Sequence, residues 1–243
     1  MGDIKLLQLS RCQIEAIGES VLRDFAINDE TSACVPININ WLARSYLGLD
    51  IQYKKLSDNG KTLGLTAYSG MEVELTFSDS NELIFTPKDT IFLDEKLQSL
   101  KSIQCRRFTI AHECGHQIIA RIAERKMGAN FRRVFEPGKR YTCGEIKTAE
   151  DWCEWQANSL AAALLMPKIK IAQHLTYFRR PYKLTLFGSR FNSMDYRKLK
   201  ELAEMFDVSP SAMRNRLVEL GHIVNKPESE YVADPLDIYV DTA

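Results

Sequence analysis

One five-residue spacing, His112-Glu113-Cys114-Gly115-His116, restricts this chain more than anything else in it. The surrounding residues follow a helical period. Phe108, Ala111, Ile118, Ile119 and Ile122 form an apolar flank, and Arg106, Gln117, Arg121 and Glu124 are directed elsewhere. Side chains four apart on a helix share a face, so His112 and His116 can present two imidazoles to one metal ion. Glu113 projects about a hundred degrees from His112 and can reach a water on that ion. Zinc suits imidazole nitrogen and carboxylate oxygen, and an open fourth position makes its water nucleophilic near neutral pH. The spacing alone arises by chance in roughly one chain in a hundred of this length. Here two of the four histidines fall inside it, which argues against chance. Gly115 in mid-helix costs about 1 kcal/mol relative to alanine. That cost makes sense where another backbone passes close beside the histidines.

A catalytic zinc needs a third protein ligand, and Glu154 on the next strong helix is the best candidate. Thr148 reads as an N-cap, Glu150 and Asp151 suit the first turn, and Pro167 ends the helix after Met166. Glu154 and Asn158 share a face that continues through Ala161, Ala162 and Leu165. Small residues there let this helix lie against the one carrying Gly115. Glu154 then completes a His-His-Glu set, with Asn158 behind it to orient an imidazole. An isolated helical glutamate is more often simply solvated; the polar-then-small face is what argues otherwise.

Two longer strings carry a family resemblance. Arg106-Arg107-Phe108-Thr109-Ile110-Ala111-His112-Glu113-Cys114-Gly115-His116 is followed by Glu154-Trp155-Gln156-Ala157-Asn158 and Ala161-Ala162-Ala163-Leu164-Leu165-Met166-Pro167. In that order they resemble the ImmA/IrrE family of zinc metallopeptidases. The resemblance extends to Val35-Pro36 with the helix after it and to the helical pair near 198–221. It implies zinc as cofactor, His112, His116 and Glu154 as ligands, and Glu113 as the catalytic carboxylate. The chain departs from the family pattern at Cys114, usually aliphatic, and at Gln156, often a second glutamate. Neither touches an inferred ligand.

Composition fits such a protein. The 243 residues, 45% hydrophobic, suffice for one sizeable domain or two small ones. A net charge of zero gives no global pull toward nucleic acid or an anionic membrane. The apolar run at the N-terminus is too short for a signal peptide, and no stretch approaches a membrane span. The cysteines at 12, 34, 105, 114, 143 and 153 form no C-x-x-C pair, which reads as reduced thiols in a cytoplasmic protein. Cys114 faces away from the histidines, and Cys153 lies off the Glu154–Asn158 face.

The first half reads as helix then strand. Ser10 and Gln13 make a capping box for a helix to Phe25, with Ile14, Ile17, Val21 and Phe25 as its core stripe, and a second helix runs from near Asn40 to Gly48. Short strands follow at 51–56, 65–68, 71–77, 82–86 and 91–94, separated by turn-forming residues. With the resemblance, this gives an α+β, zincin-like fold: a small antiparallel sheet, the H-E-x-x-H helix, and a C-terminal helix-turn-helix-like pair. An edge strand at 71–77 or 91–94 is expected to bind a peptide by adding it as one more strand.

Two stretches, 126–147 and 177–196, interleave basic and aromatic residues. Such loops more often fold over a core than bind nucleic acid. His174, Arg180 and Tyr182 are candidate donors to a transition state, with nothing in their spacing to choose among them. In 195–221, Leu199, Leu202, Ala203 and Phe206 make one stripe and Met213, Leu217 and Leu220 another, joined by a turn in which Ser209 caps and Pro210 begins the second helix. Arg214 and Arg216 then face phosphates if the pair reads DNA. The expected organisation is a peptidase domain at 1–194, the helical pair at 195–222 packed on it, and an acidic tail at 223–243. The resemblance implies an endopeptidase whose protein substrate is a helix-turn-helix repressor, cleaved to switch on stress-response or mobile-element genes. The alternative is a non-catalytic zinc-containing regulator that binds DNA or sequesters a partner repressor.

Overall fold

A computed structural model describes residues 7–28, 34–58, 60–67, 71–76, 81–87, 89–127, 132–135, 149–177 and 180–232. The chain is mixed α+β and divides into two compact units, Met1–Leu165 and Met166–Ala243. Among the described residues no helix is long and apolar enough to cross a membrane.

The first unit opens with helix α1 (Arg11–Asn28). Its capping box forms as expected: the Ser10 N–H donates to Gln13 Oε1 at 2.8 Å and the Gln13 N–H to Ser10 Oγ at 3.4 Å. Ile14 and Phe25 are buried, whereas Ile17 and Val21 are only partly covered. Asn38 caps a short helix α2 (Ile39–Trp41), which widens into a π-turn at Leu42–Tyr46 and stops before Gly48 at φ +68°. Strands β1 (Asp50–Lys54), β2 (Gly64–Ala67), β3 (Met71–Thr76), β4 (Asn81–Thr86) and β5 (Thr90–Asp94) follow. The long helix α3 (Ile103–Met127), strand β6 (Arg132–Phe135) and helix α4 (Ala149–Leu165) complete the unit. The expected cap at Thr148, the strand ends at Tyr68 and Phe77 and most of the basic stretch after Phe135 lie outside the described residues.

The sheet corrects the expectation in three ways. It has four strands in the order β1-β5-β2-β6, and β1 runs parallel to β5, with Ile51 opposite Ile91. It is therefore mixed, not antiparallel. The chain between β1 and β5 is long enough to cross over and return in the same direction, which parallel pairing requires. Strand 91–94 is interior, paired on both sides, and among the described residues 71–76 pairs with β4 in a separate hairpin. Among the described residues its edges are β1 and β6. β6 arises in a stretch read as loop. Leu56, Leu65, Leu75, Ile84 and Phe92 form a buried cluster that joins hairpin to sheet.

The second unit contains helix α5 (Lys168–His174), strands β7 (Thr176–Tyr177), β8 (Arg180–Pro181), β9 (Leu184–Phe187) and β10 (Arg190–Phe191), helices α6 (Ser193–Met205) and α7 (Pro210–Glu219), and strand β11 (Ile223–Lys226). Much of the second basic-aromatic stretch is thus sheet, with β9 between antiparallel β10 and parallel β11. Asn192 caps α6 by accepting from the Asp195 N–H, and Ser209 caps α7 by accepting from the Ala212 N–H, with Pro210 in the first helical turn. Leu199, Leu202, Ala203, Phe206, Met213 and Leu217 are all buried. Arg216, which would face phosphate only if the pair read DNA, is 2% exposed, and its Nε donates to Met166 O at 3.0 Å. Arg214 is exposed. Residues beyond 232, including most of the acidic tail, lie outside the described set.

Candidate metal centre

Helix α3 carries the histidines and is buried on nearly every side from Thr109 to Ile118. The amphipathic reading therefore misplaces Gln117, whose amide donates to Thr66 Oγ1 on β2 at 2.7 Å. A helix enclosed this fully can keep polar groups only where each finds a partner or a task. Its start is held by two arginines of the motif: Arg107 donates to Ile37 O at 3.0 Å and Arg106 to Leu97 O at 3.2 Å.

Gly115 explains how α4 comes close. A Cβ there would lie 2.9 Å from Ala157 O and 3.3 Å from Ala157 Cα. The missing side chain at Gly115 is what permits that spacing, and the backbone expected to pass close beside it is that of Ala157. The approach brings Glu154 over the histidines. Its Oε2 lies 3.3 Å from His112 Nε2 and its Oε1 3.3 Å from His116 Nε2. The two Nε2 atoms are 3.0 Å apart. One donor atom from each of the three residues falls within 4.8 Å of the others. Asn158 sits one turn after Glu154, with its Oδ1 3.0 Å from His112 Nδ1. The imidazole donates through Nδ1, which leaves the Nε2 lone pair turned toward Glu154 and His116.

Electrostatics favour a cation here. Burial, and then the neighbouring His116, lower the His112 imidazole to about 4, so it is neutral near pH 7. Burial alone would raise Glu154, but the two histidines 3.3 Å away outweigh that and hold its carboxyl far below the usual range. Two imidazole lone pairs and an ionised carboxylate converging in a buried spot form an acceptor-only cluster. Such a set fits a dication with a preference for nitrogen and oxygen, as zinc has. Glu113 is fully buried, and neither of its oxygens has a hydrogen-bond partner among the described residues. Burial, with the charge of Glu154 added, pushes its carboxyl well above the ordinary range. An unpartnered buried carboxyl is costly and marks a group kept for chemistry.

Residues 46–218 match the peptidase M78 family, described as the IrrE N-terminal-like domain. The chain belongs to this family. The match covers well over half of the chain and includes all five site residues. Peptide-bond hydrolysis is thus the class of chemistry to which the M78 site is to be fitted. Comparison with curated proteins gives no match.

Other expectations fare differently. Cys114 is buried, and burial raises its thiol far above the usual range, so it is an inert part of the core. Gln156 is buried; its Oε1 accepts from the Leu9 N–H at 2.7 Å and ties down the chain entering α1. His174 and Tyr182 lie in the second unit, where the Tyr182 hydroxyl donates to Asp195 and His174 meets the Phe206 ring edge-on. Sequence reasoning missed Gly64, which stands against the Glu113 side chain. A glycine in a strand interior often marks such a close approach, and that was the available signal.

Proposed function

We propose that the chain is a zinc-dependent endopeptidase with a zincin-like site. His112, His116 and Glu154 hold the metal, Asn158 orients His112, and Glu113 is the general base. The observation that carries this reading is the convergence of His112, His116 and Glu154 beside a fully buried Glu113 with no hydrogen-bond partner among the described residues. Zinc in this site supplies a Lewis acid for the scissile carbonyl and an acidified water as nucleophile.

The remaining steps belong to the chain's own residues. Glu113 takes the proton of the attacking water and later passes it to the leaving amine. A carboxyl raised by burial suits both halves of that task, because its proton affinity lies nearer the working pH. Asn158 keeps the proton of His112 on Nδ1, so the ring cannot turn its donor side into the site. Burial of α3 excludes bulk water from around the acid–base group.

The proposed substrate is a helix-turn-helix transcriptional repressor cleaved in the cytoplasm, on the strength of the family resemblance. Stress-response or mobile-element genes would then be switched on. Incubating the zinc-loaded protein with repressors encoded beside its own gene, and following the products by mass spectrometry, tests this. Wild type is expected to produce a defined cleavage, and Glu113→Gln to retain fold and zinc while losing cleavage, because an amide cannot accept the proton. Cleavage by Glu113→Gln at the wild-type rate would remove Glu113 from the mechanism.

A further inference from the structure

Gly64 lies on β2 directly against the Glu113 carboxylate. A Cβ built there would sit 2.3 Å from Glu113 Oε1, 3.0 Å from Glu113 Cδ and 2.8 Å from Thr109 Cγ2. Ordinary contacts to a Cβ begin near 3.4 Å, so a methyl group would be about 1 Å too close to the carboxylate oxygen. The glycine is not needed for its backbone freedom, since Gly64 is not among the residues of positive φ.

The surroundings cannot yield cheaply. β2 is paired on both sides at this position, Gly64 opposite Leu93 and opposite Phe135, so the strand is fixed in place. One turn before Glu113, the Thr109 hydroxyl donates to Cys105 O at 2.9 Å, which sets its rotamer and leaves the methyl facing Gly64. Further along the same face, Gln117 ties α3 to Thr66 of β2. Helix and strand are therefore tied together one turn beyond the contact. Glu113 itself has no hydrogen bond among the described residues to fix its oxygens.

From these contacts we propose that Gly64 is a positioning residue: its bare backbone is the wall that sets where the Glu113 carboxylate sits. Its consequence for catalysis rests on the reading of Glu113 as general base. A misplacement of about 1 Å in a group that must meet a proton in line costs on the order of a hundredfold in rate.

The test is a double-mutant cycle on the metal-free protein, using thermal melting of wild type, Gly64→Ala, Glu113→Ala and the double variant. Gly64→Ala should lower the melting temperature clearly more when Glu113 is present than when residue 113 is alanine, where only the contact with Thr109 remains. An equal drop in both backgrounds would overturn the proposal. Should Gly64→Ala fail to fold alone, recovery of folding in the double variant supports the contact, and failure of both overturns it. The catalytic arm uses the zinc-loaded protein and the best-cleaved member of a randomised peptide library. For Gly64→Ala, kcat should fall about a hundredfold with KM and zinc content unchanged. The same substitution should cost only a few-fold in a Glu113→Asp background, where the shorter side chain leaves room. A wild-type kcat in Gly64→Ala would overturn the role. If wild type cleaves no peptide, the peptidase reading fails, and the melting cycle still decides the contact.

Discussion

In the proposed site Asn158 decides which nitrogen of His112 is free to bind. Its carbonyl oxygen lies 3.0 Å from Nδ1, on the far side of the ring from Glu154 and His116. Asn158→Ala is expected to weaken zinc affinity by about 10–100-fold, because the ring loses both its tautomer preference and its orientation. Competition against a chromophoric chelator measures this, and unchanged affinity would show that Asn158 plays no part in holding the ligand. At this scale much was legible from sequence. His112 with His116 and Glu154 with Asn158 are pairs four apart on helices, and a helix fixes such pairs whatever the rest of the fold does. Gly64 and Gln117 were not legible in the same way. Their partners, Glu113 and Thr66, lie across a strand–helix contact that no local period encodes.

Elements show the same division between local and non-local. α1 and α7 begin where a capping side chain stands, and the sequence names those caps outright. Strand existence was also readable, but pairing was not. The parallel match of β1 to β5 and the edge strand β6 depend on chain return, and alternation of residues says nothing about direction. β6 was hidden further by its basic residues, which read as a solvated loop. The helical pair α6–α7 was legible as two stripes, and burial of Leu202 and Leu217 at 0% exposure agrees with both. Truncating Leu217 to alanine should cost about 2–5 kcal/mol of unfolding free energy, measured by denaturant titration. A loss below about 1 kcal/mol would mean that α7 contributes little to the core. Arg216, a phosphate contact only under the DNA-reading alternative, is committed to Met166 O, which leaves Arg214 as the exposed arginine of α7.

On the scale of the whole molecule, all five site residues fall in the first compact unit, whereas the family match runs across both. Zero net charge over 243 residues gives the chain no general attraction to DNA, which is in keeping with a protein substrate. Everything proposed for the site depends on one event, capture of a metal by His112, His116 and Glu154. Elemental analysis of the purified chain beside Glu154→Ala tests it most directly, after both have been dialysed against a weak chelator. Wild type should retain about one zinc per chain and the variant little or none, since two imidazoles alone hold zinc poorly. Equal zinc in the two proteins, or none in wild type, would contradict the site.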